Sequence, residues 1–79
     1  MRTVYLLRSS AKPEQTYVGV TTDLERRLKE HNAGHSPHTS KYRPWTLVVA
    51  MQFADDRKAN EFERYLKTGS GRAFARKHF

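Results

Sequence analysis

The stretch of residues 16–31, TYVGVTTDLERRLKEH, most constrains the fold of this chain, because it places a strand directly before a helix. Residues 16–21 alternate β-branched and aromatic side chains, which is typical of a strand. Thr22, followed three residues later by Glu25, forms a capping box, and Gly34 is a natural helix stop. The pattern therefore predicts a strand followed by a helix over about residues 23–33.

The two elements carry unusual residues on their inward faces. In the strand, Gly19 shares a face with Tyr17, and a strand glycine indicates a close approach by another group. In the helix, one arc about 100° wide holds the inward set, whereas the remaining charged residues can be solvated. The inward set is Leu24, Arg27, Leu28 and His31, and the solvated set is Arg26, Lys29 and Glu30.

An inward arginine needs a partner, because an unpaired desolvated charge is costly. Arg27 either extends to solvent or pairs with a carboxylate at the edge of the core, or it belongs to a functional site. The period of the helix leaves both interpretations open.

Length and charge limit the class of protein. Seventy-nine residues predict one domain, 1–79, with no second domain. There is no cysteine and no apolar run that predicts a membrane span or signal peptide, so we expect a cytoplasmic protein without a membrane partner. Lys and Arg number 15 against 8 Asp and Glu, a net charge of +7. Such an excess favours nucleic acid as the partner, although a merely soluble basic surface is the alternative.

A first strand is predicted over residues 1–8, followed by a polar loop to Gln15, so the first two strands should form a hairpin. If Tyr5 lies opposite Gly19, then Tyr5 and Tyr17 share a face, whereas a shift of one residue separates them. Both tyrosines are otherwise explained as core residues with a hydroxyl at the edge.

Residues 35–44, HSPHTSKYRP, form a polar loop without helical or strand period. Lys41, Tyr42 and Arg43 interleave charge with an aromatic ring, which suits contacts with phosphates and bases. Glycine and proline interrupt any helix that would align the nearby histidines, so a structural zinc site is disfavoured. Those histidines are His31, His35 and His38.

Residues 45–53 alternate with apolar side chains on both faces, which predicts a central third strand covered by helices. Asp55 or Asp56 should cap a second helix that ends at about Thr68. Glu63 lies inside the apolar stripe of this helix. It is a structural partner of Arg27, a residue at the rim of the stripe, or a carboxylate ligand for a hard divalent cation.

The last segment begins with Gly69-Ser70-Gly71-Arg72, after which Ser70 should cap a short helix over residues 72–78. The two glycines would allow an anion to approach the helix N-terminus, but a plain turn between helices is the favoured interpretation.

Thr3-Val4-Tyr5 followed by Tyr17-Val18-Gly19 resembles the paired motif of the GIY-YIG endonuclease superfamily, with Thr3 where the first motif has glycine. The later family motifs resemble the helix carrying Arg27 and His31 and the helix carrying Glu63. Segments like HTSKYRPW and FERYLKTGSGRAF recur in small stand-alone bacterial members, the group that the chain most resembles. The resemblance implies a fold of mixed α/β (α+β) class. It would be a three-stranded antiparallel sheet flanked by helices, in the order β-β-α-β-α-α.

The same resemblance implies a metal-dependent endonuclease that hydrolyses nucleic-acid phosphodiesters, with DNA the favoured polymer. Arg27 would hold the scissile phosphate, and Glu63 would hold one Mg²⁺ or Mn²⁺. Tyr17 is the favoured base, Tyr5 its positioning partner, and His31 would orient a tyrosine or bind phosphate. Secondary phosphate contacts are expected from Lys41, Arg43, Lys67 and Arg72.

Two other classes of function stay open. The same fold and charge would serve a non-catalytic nucleic-acid-binding module, in which Arg27 and Glu63 are merely paired. A basic protein-interaction domain predicts no affinity for nucleic acid. A metal requirement for cleavage would separate the enzyme from the binding module, whose affinity should weaken chiefly with salt. The oligomeric state is not determined by any pattern in the sequence.

Overall fold

Three strands and three helices follow one another in the predicted order, β-β-α-β-α-α. The computed structural model describes all 79 residues. The strands are β1 (Arg2–Ser9), β2 (Thr16–Thr21) and β3 (Trp45–Phe53), and the helices are α1 (Leu24–Ala33), α2 (Asp56–Leu66) and α3 (Gly69–His78), with a single 3₁₀ turn at Ser40–Tyr42. None of these helices has the length and apolar character that crossing a bilayer requires. The predicted fold class is confirmed.

The sheet is antiparallel and has the order β2-β1-β3, so the central strand is β1. Tyr5 pairs with Gly19, which is the register that puts Tyr5 and Tyr17 on one face. The prediction that β3 is central was wrong, because β3 pairs only with β1 and exposes Leu47 and Ala50. Its apolar character on both faces reflects helices packed on both sides of the sheet, since α1 and α2 each contact β3.

Each face of the sheet has its own core, because successive side chains of β1 point in opposite directions. Val4 packs with Ala59 and Leu66 of α2, together with apolar residues of β2 and α3. Tyr5 and Leu7 pack on the other face with Trp45 and with the two leucines of α1. The candidate site residues on β1 and α1 therefore lie on the face opposite α2 and α3.

The N-terminus of α1 differs from the prediction by one residue. The cap is Asp23, whose carboxylate accepts from the backbone N–H of Arg26, and no capping box forms between Thr22 and Glu25. Aspartate accepts this hydrogen bond as well as threonine does, so two adjacent cap residues compete and local sequence does not decide between them. Gly34 ends the helix in the left-handed conformation, with φ of 83°, as expected.

The cap of α2 is Asp55, one of the two predicted residues. At α3 the prediction was wrong, because Thr68 and not Ser70 is the cap, and its hydroxyl accepts from the N–H of Gly71. A Cβ on Gly71 would overlap the carbonyl of Tyr65. The second glycine of the connector therefore permits close packing of α3 on α2, which supports the interpretation as a turn between helices.

Candidate active site

Tyr5 occupies the centre of the sheet face covered by α1, and only 1% of its surface is exposed. The ring lies over Gly19 of the neighbouring strand, where an added Cβ would stand 2.5 Å from the Tyr5 hydroxyl oxygen. The close approach predicted at Gly19 is thus made by Tyr5 itself. The absence of a side chain on β2 makes room for a buried phenol at the site.

A buried chain of hydrogen bonds begins at this phenol. The Tyr5 hydroxyl lies 2.9 Å from Nε2 of His31, and Nδ1 of the same ring lies 2.9 Å from the hydroxyl of Thr39. His31 has no exposed surface and Thr39 has 1%. Both ring nitrogens of His31 are therefore occupied by hydroxyl groups.

Burial keeps the Tyr5 phenol and the His31 imidazole uncharged. It raises the pKa of the Tyr5 phenol above its ordinary value, and the nearby Arg27 guanidinium only partly opposes that shift. Burial also lowers the pKa of His31, and the positive charge of Arg27 lowers it further against a smaller opposing effect of Glu30. At neutral pH the pair consists of a phenol and an uncharged imidazole.

Tyr17 is the more accessible of the two tyrosines. Its ring centroid lies 6.2 Å from that of Tyr5 and 4.8 Å from that of His31, so three rings share this face. Tyr17 is only half-buried, and its hydroxyl makes no hydrogen bond within the protein. Its hydroxyl is therefore free to contact a bound molecule.

Arg27 pairs with a carboxylate other than Glu63. Its guanidinium donates to the carboxylate of Glu30 at 2.7 Å, and the same carboxylate accepts from Arg26 at 3.2 Å. The prediction that Glu30 is merely solvated was wrong, because only 25% of its side chain is exposed. These hydrogen bonds lower the pKa of Glu30, and the bond to Glu30 is the main reason that the pKa of Arg27 is raised. The guanidinium lies beside Tyr5, with 35% of the Arg27 side chain exposed.

Glu63 makes no hydrogen bond or ion pair with Tyr5, Tyr17, Arg27 or His31. The apolar stripe of α2 packs on the Val4 face, opposite Tyr5. The Glu63 side chain is 14% exposed and pairs with Lys67, so the proposed structural ion pair between Arg27 and Glu63 does not form. However, α2 also packs against β2, the edge strand that carries Tyr17. Its helix thus lies beside the edge of the sheet that leads to the site.

The other basic candidates lie outside this cluster and are exposed. Lys41 stands 5.3 Å from the ring centroid of Tyr42, and the Arg43 guanidinium donates to the Ser40 carbonyl at 2.8 Å. Arg72 has no ion-pair partner, and Lys67 is the partner of Glu63. The half-buried Tyr42 ring packs edge-on against Trp45 at the margin of the core.

Two residues of the site were missed by sequence reasoning. Glu30 stands three positions after Arg27, a spacing at which helix side chains meet, so its role was accessible from the sequence. Thr39 lies in a loop without period, and its contact with His31 depends on how that loop folds back on α1. No local signal identifies it.

Fold and site together define a small α+β domain with two phenols, an imidazole and a guanidinium on one face of a three-stranded sheet. The chain belongs to the GIY-YIG family: the family model described as the GIY-YIG catalytic domain matches residues 1–77. The expected class, a nuclease-family domain, is confirmed by this match.

The curated relatives include fungal proteins named structure-specific endonuclease subunit SLX1. That of Candida dubliniensis is 42% identical over an alignment of 71 residues that covers 81% of this chain and 25% of the relative. Those of Debaryomyces hansenii and Malassezia globosa are 38% and 43% identical, over 81% and 75% of this chain and 20% and 14% of the relatives. The chain thus spans a quarter or less of the length of these relatives.

Proposed function

We propose that this chain is a divalent-metal-dependent endonuclease that hydrolyses nucleic-acid phosphodiesters, with DNA as the favoured substrate. The observation that carries the proposal is the convergence of Tyr5, Tyr17 and His31, with Arg27 beside them, on one face of a GIY-YIG domain. The net charge of +7 suits a polyanionic substrate. The relatives named above are endonuclease subunits, which supports the reaction class.

Arg27 is the proposed holder of the scissile phosphate. A guanidinium matches the paired oxygens of a phosphate, and it stabilises the charge that develops there during attack. In the free protein one nitrogen of this fork, Nη1, donates to Glu30 at 2.7 Å. We expect the phosphate to bind the remaining N–H groups of the guanidinium while Glu30 keeps Nη1 in place.

Tyr17 is the proposed base and Tyr5 its positioning partner. The Tyr17 hydroxyl makes no hydrogen bond within the protein, so it is available to a water molecule beside the phosphate. Tyr5 suits the second role, because burial raises its pKa and His31 already holds its hydroxyl. His31 orients Tyr5 in this scheme and does not contact phosphate.

Glu63 is the proposed ligand for Mg²⁺ or Mn²⁺. Hard cations of this kind are bound through one or two carboxylates together with substrate phosphates and water, so a single carboxylate fits the requirement. No three side chains of His, Asp or Glu gather elsewhere in the structure to offer an all-protein site. When bound, the ion would polarise the phosphate and stabilise the leaving oxygen. Lys67, now paired with Glu63, would then turn to a phosphate.

Lys41, Arg43 and Arg72 complete the proposed contacts to the nucleic-acid backbone, since all three are exposed and none has a carboxylate partner. Such contacts position the polymer without reading its sequence. The narrower grouping with small bacterial members of the family, and a cytoplasmic location, stay predictions.

A non-catalytic nucleic-acid-binding module is the second candidate. It is favoured by the pairing of Arg27 with Glu30 and of Glu63 with Lys67, because no hydrogen bond or ion pair joins Glu63 to the other site residues. In that case both pairs are structural, and binding should depend on salt alone.

The test is cleavage of plasmid, branched DNA, single strands and RNA by the purified chain with Mn²⁺, with and without chelator. Arg27→Ala and Glu63→Gln are compared with Lys29→Ala and Glu61→Gln, which remove charges at exposed positions of the same helices. Circular dichroism checks that each variant folds. Metal-dependent nicking that is lost only in the first pair supports the nuclease. Binding without nicking in wild type and all variants supports the module.

A further inference from the structure

The hydroxyl of Thr39 has a single strong partner, and that partner is His31. Thr39 follows α1 after a short loop and is 1% exposed. Its backbone carbonyl accepts from the indole N–H of Trp45 at 2.8 Å and from the N–H of Tyr42 at 3.2 Å. These two bonds anchor the segment without the side chain. The hydroxyl is therefore not needed to hold the loop.

The hydrogen bonds around His31 favour one position for the proton of its ring. The Thr39 hydroxyl oxygen lies 3.5 Å from the carbonyl of Ser36, which can only accept. If Thr39 donates to Ser36, then it accepts from Nδ1–H of His31, at 2.9 Å. Nε2 then carries a lone pair, which faces the Tyr5 hydroxyl at 2.9 Å, so Tyr5 must donate.

The opposite tautomer would change what Tyr5 presents to the site. With Nε2 protonated, the Tyr5 oxygen would accept from His31, and its own proton would need another acceptor. The Arg27 guanidinium also hydrogen-bonds the Tyr5 hydroxyl, but it can only donate, so no other group of the chain accepts the Tyr5 proton. The Tyr5 proton would then point towards Arg27 and the site, where its partial positive charge is repelled by the guanidinium.

We propose that Thr39 is a positioning residue whose hydroxyl holds His31 in the Nδ1–H tautomer, so that Nε2 of His31 accepts the hydrogen bond from the Tyr5 hydroxyl and the Tyr5 oxygen faces the site as an acceptor. A group that fixes the tautomer of a histidine from behind commonly alters chemistry as much as it alters stability. Thr39 itself contacts neither phosphate nor water in this arrangement. The catalytic part of the inference rests on the proposed function, whereas the tautomer does not.

The test combines ring-nitrogen NMR with cleavage kinetics. In ¹⁵N-labelled wild type, long-range ¹H–¹⁵N spectra should show His31 protonated at Nδ1 and unprotonated at Nε2, with His31→Gln used to assign the signals among the four histidines. Thr39→Val keeps the side-chain shape and the carbonyl, and it should lose this pattern. We expect its kcat to fall about tenfold or more with an unchanged KM, by analogy with other partners that orient a histidine. Thr39→Ser restores the hydroxyl and should recover both readouts.

Other outcomes overturn the inference. A wild-type His31 protonated at Nε2 refutes it without any variant, even if Thr39→Val does not fold. A folded Thr39→Val with the wild-type tautomer, or with wild-type kcat, also refutes it. If wild type cleaves nothing, the proposed function fails, while the ring-nitrogen measurement still decides whether Thr39 sets the tautomer.

Discussion

Replacing Gly19 with alanine should disturb the site directly, because the ring of Tyr5 fills the space where the methyl group would stand. The added Cβ would lie 2.5 Å from the Tyr5 hydroxyl oxygen and 2.6 Å from Cζ, whereas ordinary contact begins at 3.4 Å. The ring must therefore retreat by about 1 Å from a pocket in which Tyr5 is 1% exposed. This movement of the ring would disturb the hydrogen bond between Tyr5 and His31, which is 2.9 Å long.

The expected cost follows from two opposing effects. Overpacking of a well-packed core destabilises by about 1–3 kcal/mol. In the opposite direction, alanine reduces the conformational entropy of the unfolded chain, which stabilises the folded state by about 0.4–1 kcal/mol where the backbone is compatible. The net loss in the free energy of unfolding should be about 1–2 kcal/mol. In a domain of this size that corresponds to a fall in Tm of about 5–15 °C.

Thermal melts followed by circular dichroism would measure this, with Gly69→Ala as the matched control. Gly69 begins α3, and a Cβ there meets nothing within 4 Å, so the same substitution should leave Tm unchanged or raise it. Cleavage should fall in Gly19→Ala and not in Gly69→Ala. A Gly19→Ala protein as stable as wild type would refute the argument that Tyr5 needs the missing side chain.

Three further outcomes are expected. Gly71→Ala should destabilise the protein more than Gly19→Ala, because the overlap is with the backbone of Tyr65, which cannot rotate away; equal melts of the two variants would contradict this. Glu30→Gln should tighten substrate binding, because it removes a negative charge beside the Arg27 guanidinium, and it should lower kcat, because Glu30 also orients Arg27. Glu25→Gln makes the same charge change on an exposed ion pair and should change neither binding nor kcat. The free energy of unfolding should decrease as pH falls below about 6.5, because the pKa of buried His31 is lowered and the unfolded chain takes up the proton first. Thermal melts between about pH 7.5 and 5 should show this decrease. His31→Gln should make the stability less dependent on pH.

Much of the fold was predictable because its signals are local. The alternation of β2 and β3 predicted both strands with the bounds that the structure has, and the glycine after α1 predicted where that helix ends. The order of strands in the sheet was not predictable in this way. Apolar residues on both faces of β3 indicate burial by helices, and burial by helices occurs at an edge as well as at the centre.

The site was likewise predictable where the signals are local and unpredictable where distant segments meet. By itself the sequence determined that Arg27 and His31 share the inner face of a helix and that Tyr5 and Tyr17 share a strand face in one of two registers. Only the tertiary structure decided that Tyr5 meets His31, 26 residues away, that Thr39 meets the other side of that ring, and that Glu63 pairs with Lys67 and not with Arg27. Helical and strand periods specify which side chains share a face. Which faces meet depends on how loops and cores pack, and that information is spread over the whole chain.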